Sequence, residues 1–231
     1  MNVIVIYDNS SETNTYNCVQ LLLNALKLNI ELKVTEFFLS KDYIYNGRLS
    51  YPDIDSKTVN GMEYIINSLD SSDLLIIASP VSKCDISNEM KLFLHRLSCC
   101  YLLSSSRSQI NDKIGLSMST TSGAGLFYTS KILKRNLNSL GIKNTLKFCR
   151  TLYEISWEDV SLKTKMRIHK DIFKLSYKIL GLHNRTYNKK RLILRKVIFS
   201  KDNNALIDSS PNIIQLSSWK YQSHLHNRHI Q

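Results

Sequence analysis

Three polar stretches of this chain contain the residue types best able to hold a ligand, and each follows a short apolar run. The first reads Asp8-Asn9-Ser10-Ser11-Glu12-Thr13-Asn14-Thr15 and leads directly into a helical pattern. Backbone N–H groups at a helix start, together with serine and threonine hydroxyls, can bind a phosphate dianion, which the helix dipole also favours. The same residue types are the usual helix caps, so ordinary capping is the alternative interpretation.

The second and third stretches are suited to a planar ring. Ser79-Pro80-Val81-Ser82-Lys83-Cys84-Asp85 also precedes a helical pattern; its backbone groups can meet the edge of a heterocycle, and Lys83 can neutralise charge. Ser119-Thr120-Thr121-Ser122-Gly123-Ala124-Gly125 has two glycines that let the backbone approach a ligand closely. The alternatives are a structural loop capped by Asp85 or Ser87, and a flexible connector.

No catalytic residue can be assigned in these stretches, because neither a Ser-His-Asp set nor a pair of carboxylates is evident. Cys84 lies near a predicted helix start, where the pKa of a thiol falls. The favoured interpretation of Cys84 is a small residue that fills space.

Strand-length apolar runs alternate with helical patterns up to about residue 150, and these elements must position the three stretches. The predicted strands are Val3–Tyr7, Ile30–Phe38, Leu74–Ala78, Ile114–Met118 and Asn144–Thr151. The predicted helices are Thr15–Lys27, a second marked by Met62, Ile65, Ile66 and Leu69, then Ser87–Leu97, Leu126–Leu140 and Val160–Leu180. Leu74–Ala78 is the most apolar run and is predicted to be the central strand. Gly141 stands where a helix end favours a left-handed residue.

This alternation predicts an α/β fold with a parallel sheet, right-handed crossovers and helices on both faces. Ligands of such sheets bind outside the carboxyl ends of the strands. The three stretches follow the first, third and fourth strands, so they are expected to meet at one edge. That coincidence carries more weight than any single stretch.

At this point the sequence resembles the flavodoxin-like NAD(P)H-dependent FMN reductase family, over roughly residues 1–150. A family pattern of the S-x-S-N-T kind is similar to Ser11-Glu12-Thr13-Asn14-Thr15. A more specific pattern, S-P-V followed by S-x-x-[LM]-K-x-F-x-x-R, matches Ser79-Pro80-Val81 and then Ser87, Met90, Lys91, Phe93 and Arg96. A third, T-[ST]-G-G-like turn fits Thr120 to Gly125 loosely. Relatives often carry an aromatic residue and then a glycine after S-P-V, where this chain has Ser82-Lys83-Cys84.

The resemblance implies a flavodoxin-like three-layer sandwich with a five-stranded parallel sheet, FMN as cofactor and NADPH or NADH as electron donor. It implies that the FMN phosphate is held by Ser11, Thr13, Asn14 and Thr15, with Ser10 a candidate in the same loop. It implies that the isoalloxazine is bordered by Pro80, Val81, Ser82, Lys83, Cys84, Asp85, Thr120, Thr121, Ser122, Gly123 and Gly125. In such an enzyme the flavin performs hydride transfer, so no protein acid or base is required. No iron–sulfur cluster is expected, because the cysteines that one branch places after its second strand are missing.

Length and composition predict one domain with a C-terminal helical extension, divided as residues 1–182 and 183–231 of the 231. No apolar stretch is long enough for a membrane span, and the N-terminus lacks signal-peptide features, so we expect a cytoplasmic protein. The five cysteines are odd in number and form no C-x-x-C pair, which argues against a disulfide framework or a metal site. Residues 185–201 mix basic and apolar residues; helix packing on a second subunit is favoured over binding to acidic lipid or nucleic acid.

The leading functional hypothesis is an FMN-dependent oxidoreductase, expected to be a homodimer that acts on a small-molecule or flavin acceptor. A flavodoxin-type electron carrier is one alternative, although such carriers are commonly acidic and this chain has a net charge of +12. Another is a non-enzymatic protein that kept the fold and lost the cofactor, or that binds nucleic acid through residues 185–201. Fold alone does not separate these hypotheses, because function depends on the site.

Overall fold

The structure, a computed structural model, describes residues 1–8, 13–39, 61–103, 110–154 and 156–207. Its strands are β1 (Asn2–Tyr7), β2 (Lys33–Phe38), β3 (Leu74–Ala78), β4 (Ile114–Thr121) and β5 (Asn144–Thr151). Its longer helices are α1 (Asn14–Lys27), α2 (Gly61–Ser71), α3 (Asn88–Leu103), α4 (Leu126–Ser139) and α5 (Leu162–Ile207). All ten correspond to elements predicted from the sequence.

The strands form one five-stranded parallel sheet in the order β2-β1-β3-β4-β5. This is the flavodoxin-like order, which confirms the predicted fold class. β3 is the central strand, and every residue of it is buried, which is why its sequence is continuously apolar. The order reverses between β1 and β3, and ligands of such sheets bind at the carboxyl ends of the strands beside this reversal.

Side chains alternate across the sheet and build two separate cores. Val3 and Val5 of β1 pack with α1 and α5 on one face, while Ile4 and Ile6 pack with α2, α3 and α4 on the other. The first core takes Leu22 of α1, and also contains Ile168, Ile172 and Ile179 of α5. Because α1 and α5 share this face, the start of α5 lies on the same side of the sheet as the start of α1.

β1 begins one residue earlier than predicted, at Asn2, and two other strand boundaries differ from the predicted ones by three residues. β2 begins at Lys33 rather than Ile30, because the N–H of Ile30 still donates to the Leu26 carbonyl in a turn that ends α1 (3.1 Å). β4 continues past the apolar run to Thr121, paired with β5 through Thr121↔Thr151. Thr120 and Thr121 were predicted to lie in a loop, but they lie in the strand, where threonine is a favoured residue.

The helix ends follow recognisable local signals. Gly141 follows α4 with a φ of +98°, the left-handed conformation predicted for it. The last helix is much longer than predicted, since α5 runs from Leu162 to Ile207 instead of ending at Leu180. It continues through the basic stretch at residues 185–201 and confirms the C-terminal helix.

The chain divides after Thr186, so the first unit, Met1–Thr186, holds all five strands. Among the described residues, no helix combines the length and apolarity needed to cross a bilayer.

Candidate flavin-binding edge of the sheet

The predicted ligand loops converge because their strands are neighbours. β1 pairs with β3 and β3 pairs with β4, all in parallel, so the loops that follow them leave the same edge of the sheet. We call this region the carboxyl edge: Asp8, the start of α1, residues 79–87 and residues 119–128. Of the predicted site residues, Ser10 and Ser11 lie outside the described part of the chain; the others are placed here.

The start of α1 offers donors for an anion. Thr13 caps the helix, because its Oγ1 accepts a hydrogen bond from the Tyr16 N–H (3.1 Å) and its carbonyl accepts one from the Asn17 N–H (3.1 Å). A hydroxyl that accepts in this way can still donate its own proton. The first-turn N–H group of Thr15 has no acceptor within the helix, and the first turn contains no acidic residue. Capping and anion binding are therefore compatible here.

Two side chains of that first turn tie α1 to distant strands. The hydroxyls of Thr15 and Thr120 lie 2.7 Å apart, and both residues are buried. Asn14 Nδ2 donates to the carbonyl of Glu154, just after β5 (2.9 Å). Both contacts fix the helix start against the ends of β4 and β5. The Thr15 side chain thus joins α1 to β4.

Asp8 is a buried carboxylate that connects three elements. It is 6% exposed at the end of β1 and accepts hydrogen bonds from the Ser79 hydroxyl (2.6 Å) and from the Ser87 hydroxyl. Ser87 also caps α3, since its Oγ accepts from the Met90 N–H (3.0 Å), which is the capping role considered from the sequence. Burial raises the pKa of the Asp8 carboxyl, and the two serine hydroxyls act against that rise.

Residues 82–85 form a tight two-residue turn. Ser82 and Asp85 exchange backbone hydrogen bonds of 2.7 and 2.9 Å, and Lys83 and Cys84 between them have φ values of +48° and +64°. Positive φ at both central positions is the pattern of a type I′ turn, for which Asn-Gly is the preferred pair. Lys83 and Cys84 therefore adopt a backbone conformation that is energetically unfavourable for a residue with a side chain. Relatives often carry glycine at this place.

The turn is held against α3 by an ion pair and leaves Cys84 exposed. Asp85 pairs with Lys91 (2.5 Å), and the hydrogen bond from Lys91 lowers the pKa of the Asp85 carboxyl. Cys84 lies in the turn rather than at the start of α3, which begins at Asn88. Its side chain is in solvent, so it fills no space in the core.

The loop after β4 packs directly on this turn through Gly125. Gly125 has a φ of +92°, and a Cβ at that position would lie 2.4 Å from Cys84 Cα. The loop is also shaped internally, because Thr121 Oγ1 accepts from the Gly123 N–H (3.1 Å) and donates to the Ala124 carbonyl (3.3 Å). Gly123, by contrast, faces open space, with no heavy atom within 4 Å of its Cβ position. The loop is therefore held by its own hydrogen bonds and by packing on the turn, and it leaves the backbone at Gly123 open.

Two site features were not predicted from the sequence. Phe127 and Tyr128, in the first turn of α4, are 78% and 56% exposed beside this loop. Large exposed aromatic side chains next to a ligand loop offer a face for a planar group. Two consecutive aromatic residues, separated from Gly125 only by Leu126, were the available signal. Asp8 was the other feature that was not predicted. Its only sequence signal was the position of an aspartate at the end of a buried strand.

Comparison with known proteins places this edge in a chemical context. The family model described as NADPH-dependent FMN reductase matches residues 1–147. No curated protein matches the sequence.

Three solved structures resemble the chain in fold. The apo form of an NADH:FMN oxidoreductase (EMOB) has 14% identity and a TM-score of 0.55, with 77% of this chain and 89% of that chain covered. An FMN-dependent NADH-azoreductase from Bacillus anthracis str. Ames Ancestor, in complex with FMN, has 13% identity, a TM-score of 0.56, and coverages of 78% and 99%. RosB, with the bound intermediate 8-demethyl-8-formylriboflavin-5'-phosphate, has 12% identity, a TM-score of 0.55, and coverages of 100% and 96%.

The family model covers well over half of the 231 residues and includes all the loops of the carboxyl edge up to β5. The fold of the solved structures agrees with it. This chain therefore belongs to the NADPH-dependent FMN reductase family, and it is a flavin oxidoreductase with FMN as its cofactor.

Proposed function

We propose that the protein takes a hydride from NADPH or NADH at bound FMN and passes the electrons to a small-molecule or flavin acceptor. The observation that carries this proposal is the interlocking of the three loops at the carboxyl edge. Thr15 contacts Thr120 across the sheet, and Gly125 packs on the backbone of Cys84. The edge is thereby built as one surface from three separate parts of the chain.

The start of α1 fits the FMN phosphate by the chemistry of its donors. Thr13 supplies a hydroxyl, the first-turn N–H group of Thr15 has no acceptor within the helix, and the helix dipole favours an anion there. Among the described residues, Asp8 is the carboxylate nearest along the chain to the start of α1, and its oxygens accept hydrogen bonds from the hydroxyls of Ser79 and Ser87. Through those hydrogen bonds, the Asp8 carboxylate lies against the loop that follows β3.

The loops after β3 and β4 fit the isoalloxazine in the same sense. Gly123 leaves open space at its Cβ position, so its backbone can approach a ring closely. The left-handed turn at Lys83 and Cys84 places the Cys84 backbone directly beside Gly125. The exposed rings of Phe127 and Tyr128 supply apolar cover at the same place.

FMN, when bound, supplies the hydride and electron chemistry, and the residues of the edge bind and orient it. We assign no acid or base to the reaction. Thr13 and the first turn of α1 hold the phosphate end. Residues 80–85 and 120–125 border the ring and exclude water from one side of it.

The visible absorption spectrum of the purified protein tests this proposal, before and after addition of FMN and then of NADPH or NADH without oxygen. We expect flavin bands that the protein retains through gel filtration and that bleach with the nicotinamide. A protein that binds no flavin at all would refute the proposal and favour the non-enzymatic alternative.

A variant pair locates the phosphate. Thr13→Gly removes the hydroxyl but costs only a few tenths of a kcal/mol as a cap. We expect FMN affinity to fall about tenfold while riboflavin, which lacks the phosphate, binds as before. Ser161→Gly is the matched control, because Ser161 caps α5 in the same way (Thr164 N–H to Ser161 Oγ, 3.3 Å). Equal losses for FMN and riboflavin in Thr13→Gly would place the phosphate elsewhere.

We also propose that the protein is a homodimer. An exposed apolar stripe on α5 supports this: Leu162, Met166, Phe173 and Tyr177 follow each other at helical spacing on one face. Phe173 and Tyr177 contact each other with ring centroids 5.2 Å apart. Sedimentation equilibrium of the wild type and of a Met166→Glu variant measures the oligomeric state. We expect a dimeric wild type and a weakened dimer in the variant; a monomeric wild type contradicts the proposal.

A further inference from the structure

One side of α5 carries a row of exposed cations. Lysine and arginine occur there at intervals of four, three, four and four residues, which places them along one face of a helix. We call these residues the basic row: Lys163, Arg167, Lys170, Lys174 and Lys178. All are exposed, and at the rise of an α-helix they extend over about 22 Å. The whole row lies within the first unit, Met1–Thr186.

The net charge of the first unit is concentrated around this row. Residues 1–143 contain 14 Lys or Arg and 13 Asp or Glu, a net charge of +1. Residues 144–186, from the start of β5 to the end of the unit, contain nine Lys or Arg and four Asp or Glu, a net charge of +5. The row therefore lies in the part of the first unit that attracts anions, whatever the charge of the residues after 186.

The four carboxylates of residues 144–186 leave most of the row unpaired. Asp171, on the same helix, forms an ion pair with Arg150 of β5. Glu154 lines a hollow at the end of β5 together with Arg167, so it offsets charge at one end of the row. The other two precede the helix: Glu158 and Asp159. Among the described residues, no carboxylate forms an ion pair with a member of the row.

The spacing of the row is unfavourable for the helix by itself. Successive members are three or four residues apart, where side chains on a helix are neighbours and like charges destabilise it. The only acidic residue of α5 up to residue 186 is Asp171, which is already paired. A polyanion bound along the row relieves this repulsion at every position, whereas one small anion reaches only part of its length.

The composition of the row distinguishes between two kinds of polyanion. An acidic lipid surface is bound by cations together with apolar side chains that enter the headgroup region. The row has only cationic members, and the apolar stripe beside it on α5 is assigned above to the homodimer. The phosphates of nucleic acid are bound by charge alone, in proportion to the number of cations that contact them. The row therefore fits a nucleic-acid backbone better than a membrane surface.

We propose that the basic row binds the phosphate backbone of a nucleic acid, without regard to base sequence. Each of the five side chains neutralises one phosphate, and the counterions that those phosphates held are released. The proposal goes beyond the proposed function and does not depend on it, because the row shares no residue with the carboxyl edge.

Fluorescence anisotropy of a labelled DNA duplex, titrated with the full chain at several salt concentrations, tests this. The logarithm of the affinity should fall linearly with the logarithm of the salt concentration, with a slope of at least about 4.5 in magnitude for five contacts. Between about 50 and 200 mM salt this is a loss of about 500-fold. Arg167→Ala/Lys170→Ala/Lys174→Ala removes three contacts, so the magnitude of the slope should fall by about 2.7.

The matched control is Lys131→Ala/Lys134→Ala/Arg135→Ala. It removes the same two lysines and one arginine from exposed positions of α4, which packs on the other face of the sheet. Its slope should stay that of the wild type. Alanine is the best helix former, so circular dichroism should show unchanged helix content in both variants. Residues after 186 are the same in all three proteins, so any contacts that they make cancel in the comparison.

Three outcomes overturn the proposal. The first is a wild type that does not bind the duplex at about 50 mM salt. The second is an equal loss of slope in both triple variants, which would mean a diffuse field instead of a binding row. The third is a wild type that binds vesicles of phosphatidylglycerol but no duplex, which would make the row a lipid-binding surface. Equal affinity for two duplexes of unrelated sequence supports the proposal, and FMN titration of the same protein bears only on the proposed function.

Discussion

Replacing Gly125 by alanine places a methyl group where the loops after β3 and β4 touch. The new Cβ would lie 2.4 Å from the Cα of Cys84 and 2.7 Å from both its carbonyl carbon and oxygen. All three are backbone atoms, so no side-chain rotation relieves the overlap, and one loop must move. Gly125 also has a φ of +92°, which a residue with a Cβ adopts only with strain.

The two energetic costs add, because the backbone strain is local to Gly125, whereas the steric overlap is between the two loops. Left-handed strain costs about 1 to 2 kcal/mol. Overpacking that forces the backbone to shift costs about 1 to 3 kcal/mol. We therefore expect Gly125→Ala to lower the free energy of unfolding by about 2 to 5 kcal/mol. FMN affinity should fall as well, since the loop that moves borders the proposed ring site.

Urea unfolding of the cofactor-free protein measures the first effect, and Gly123→Ala is its control. Gly123 lies two residues away in the same loop, its φ is not in the left-handed region, and its Cβ position is open. We expect that variant to change stability by less than about 0.5 kcal/mol, while its methyl group hinders approach of the flavin ring. If Gly125→Ala costs no more than Gly123→Ala, the described contact between Gly125 and Cys84 is wrong.

Three further predictions concern the same edge. A Lys83→Asn/Cys84→Gly double variant should raise the free energy of unfolding by about 1 to 2 kcal/mol, because both positions are left-handed; an unchanged urea midpoint would contradict this. The raised pKa of the Asp8 carboxyl means that its contribution to stability is complete below its ordinary value of 3.8 and is lost as the pH rises through the raised value. The wild type should therefore lose stability relative to Asp8→Asn as the pH rises from 3.8 towards 7, and a constant difference between their urea midpoints would refute the cause given. Burial raises the pKa of the Cys18 thiol to about 12, so iodoacetamide at pH 8 should modify exposed Cys84 and leave Cys18 intact by mass spectrometry.

The fold could be predicted because its strands are buried on both faces. Leu74–Ala78 is continuously apolar, and the structure places it at the centre of the sheet, as expected. The carboxyl edge followed from the alternation of strands and helices, which leaves parallel strands ending on one side. Most element boundaries were therefore correct to within a few residues without any knowledge of side-chain contacts.

The contacts that build the site could not be predicted, because they join residues far apart in sequence. Asp8 meets Ser79 and Ser87 across 71 and 79 positions, and Thr15 meets Thr120 across 105. The turn at Lys83 and Cys84 was hidden for a different reason, since its left-handed backbone carries neither glycine nor asparagine.

The long-range contacts and the left-handed turn escaped prediction for a common physical reason, namely their dependence on tertiary structure. Residues that read locally as caps and connectors, such as Thr13, Thr15 and Ser87, have second roles that depend on the tertiary fold. These contacts join the loops after β1, β3 and β4 to one another, and contacts within a binding site lower the entropic cost of ordering its loops around a ligand. The left-handed turn, by contrast, lowers stability, and the backbone hydrogen bonds between Ser82 and Asp85 and the packing of Gly125 on Cys84 hold it in place. If the turn is kept for the cofactor, the stabilised Lys83→Asn/Cys84→Gly variant should bind FMN no better than the wild type, despite its greater stability.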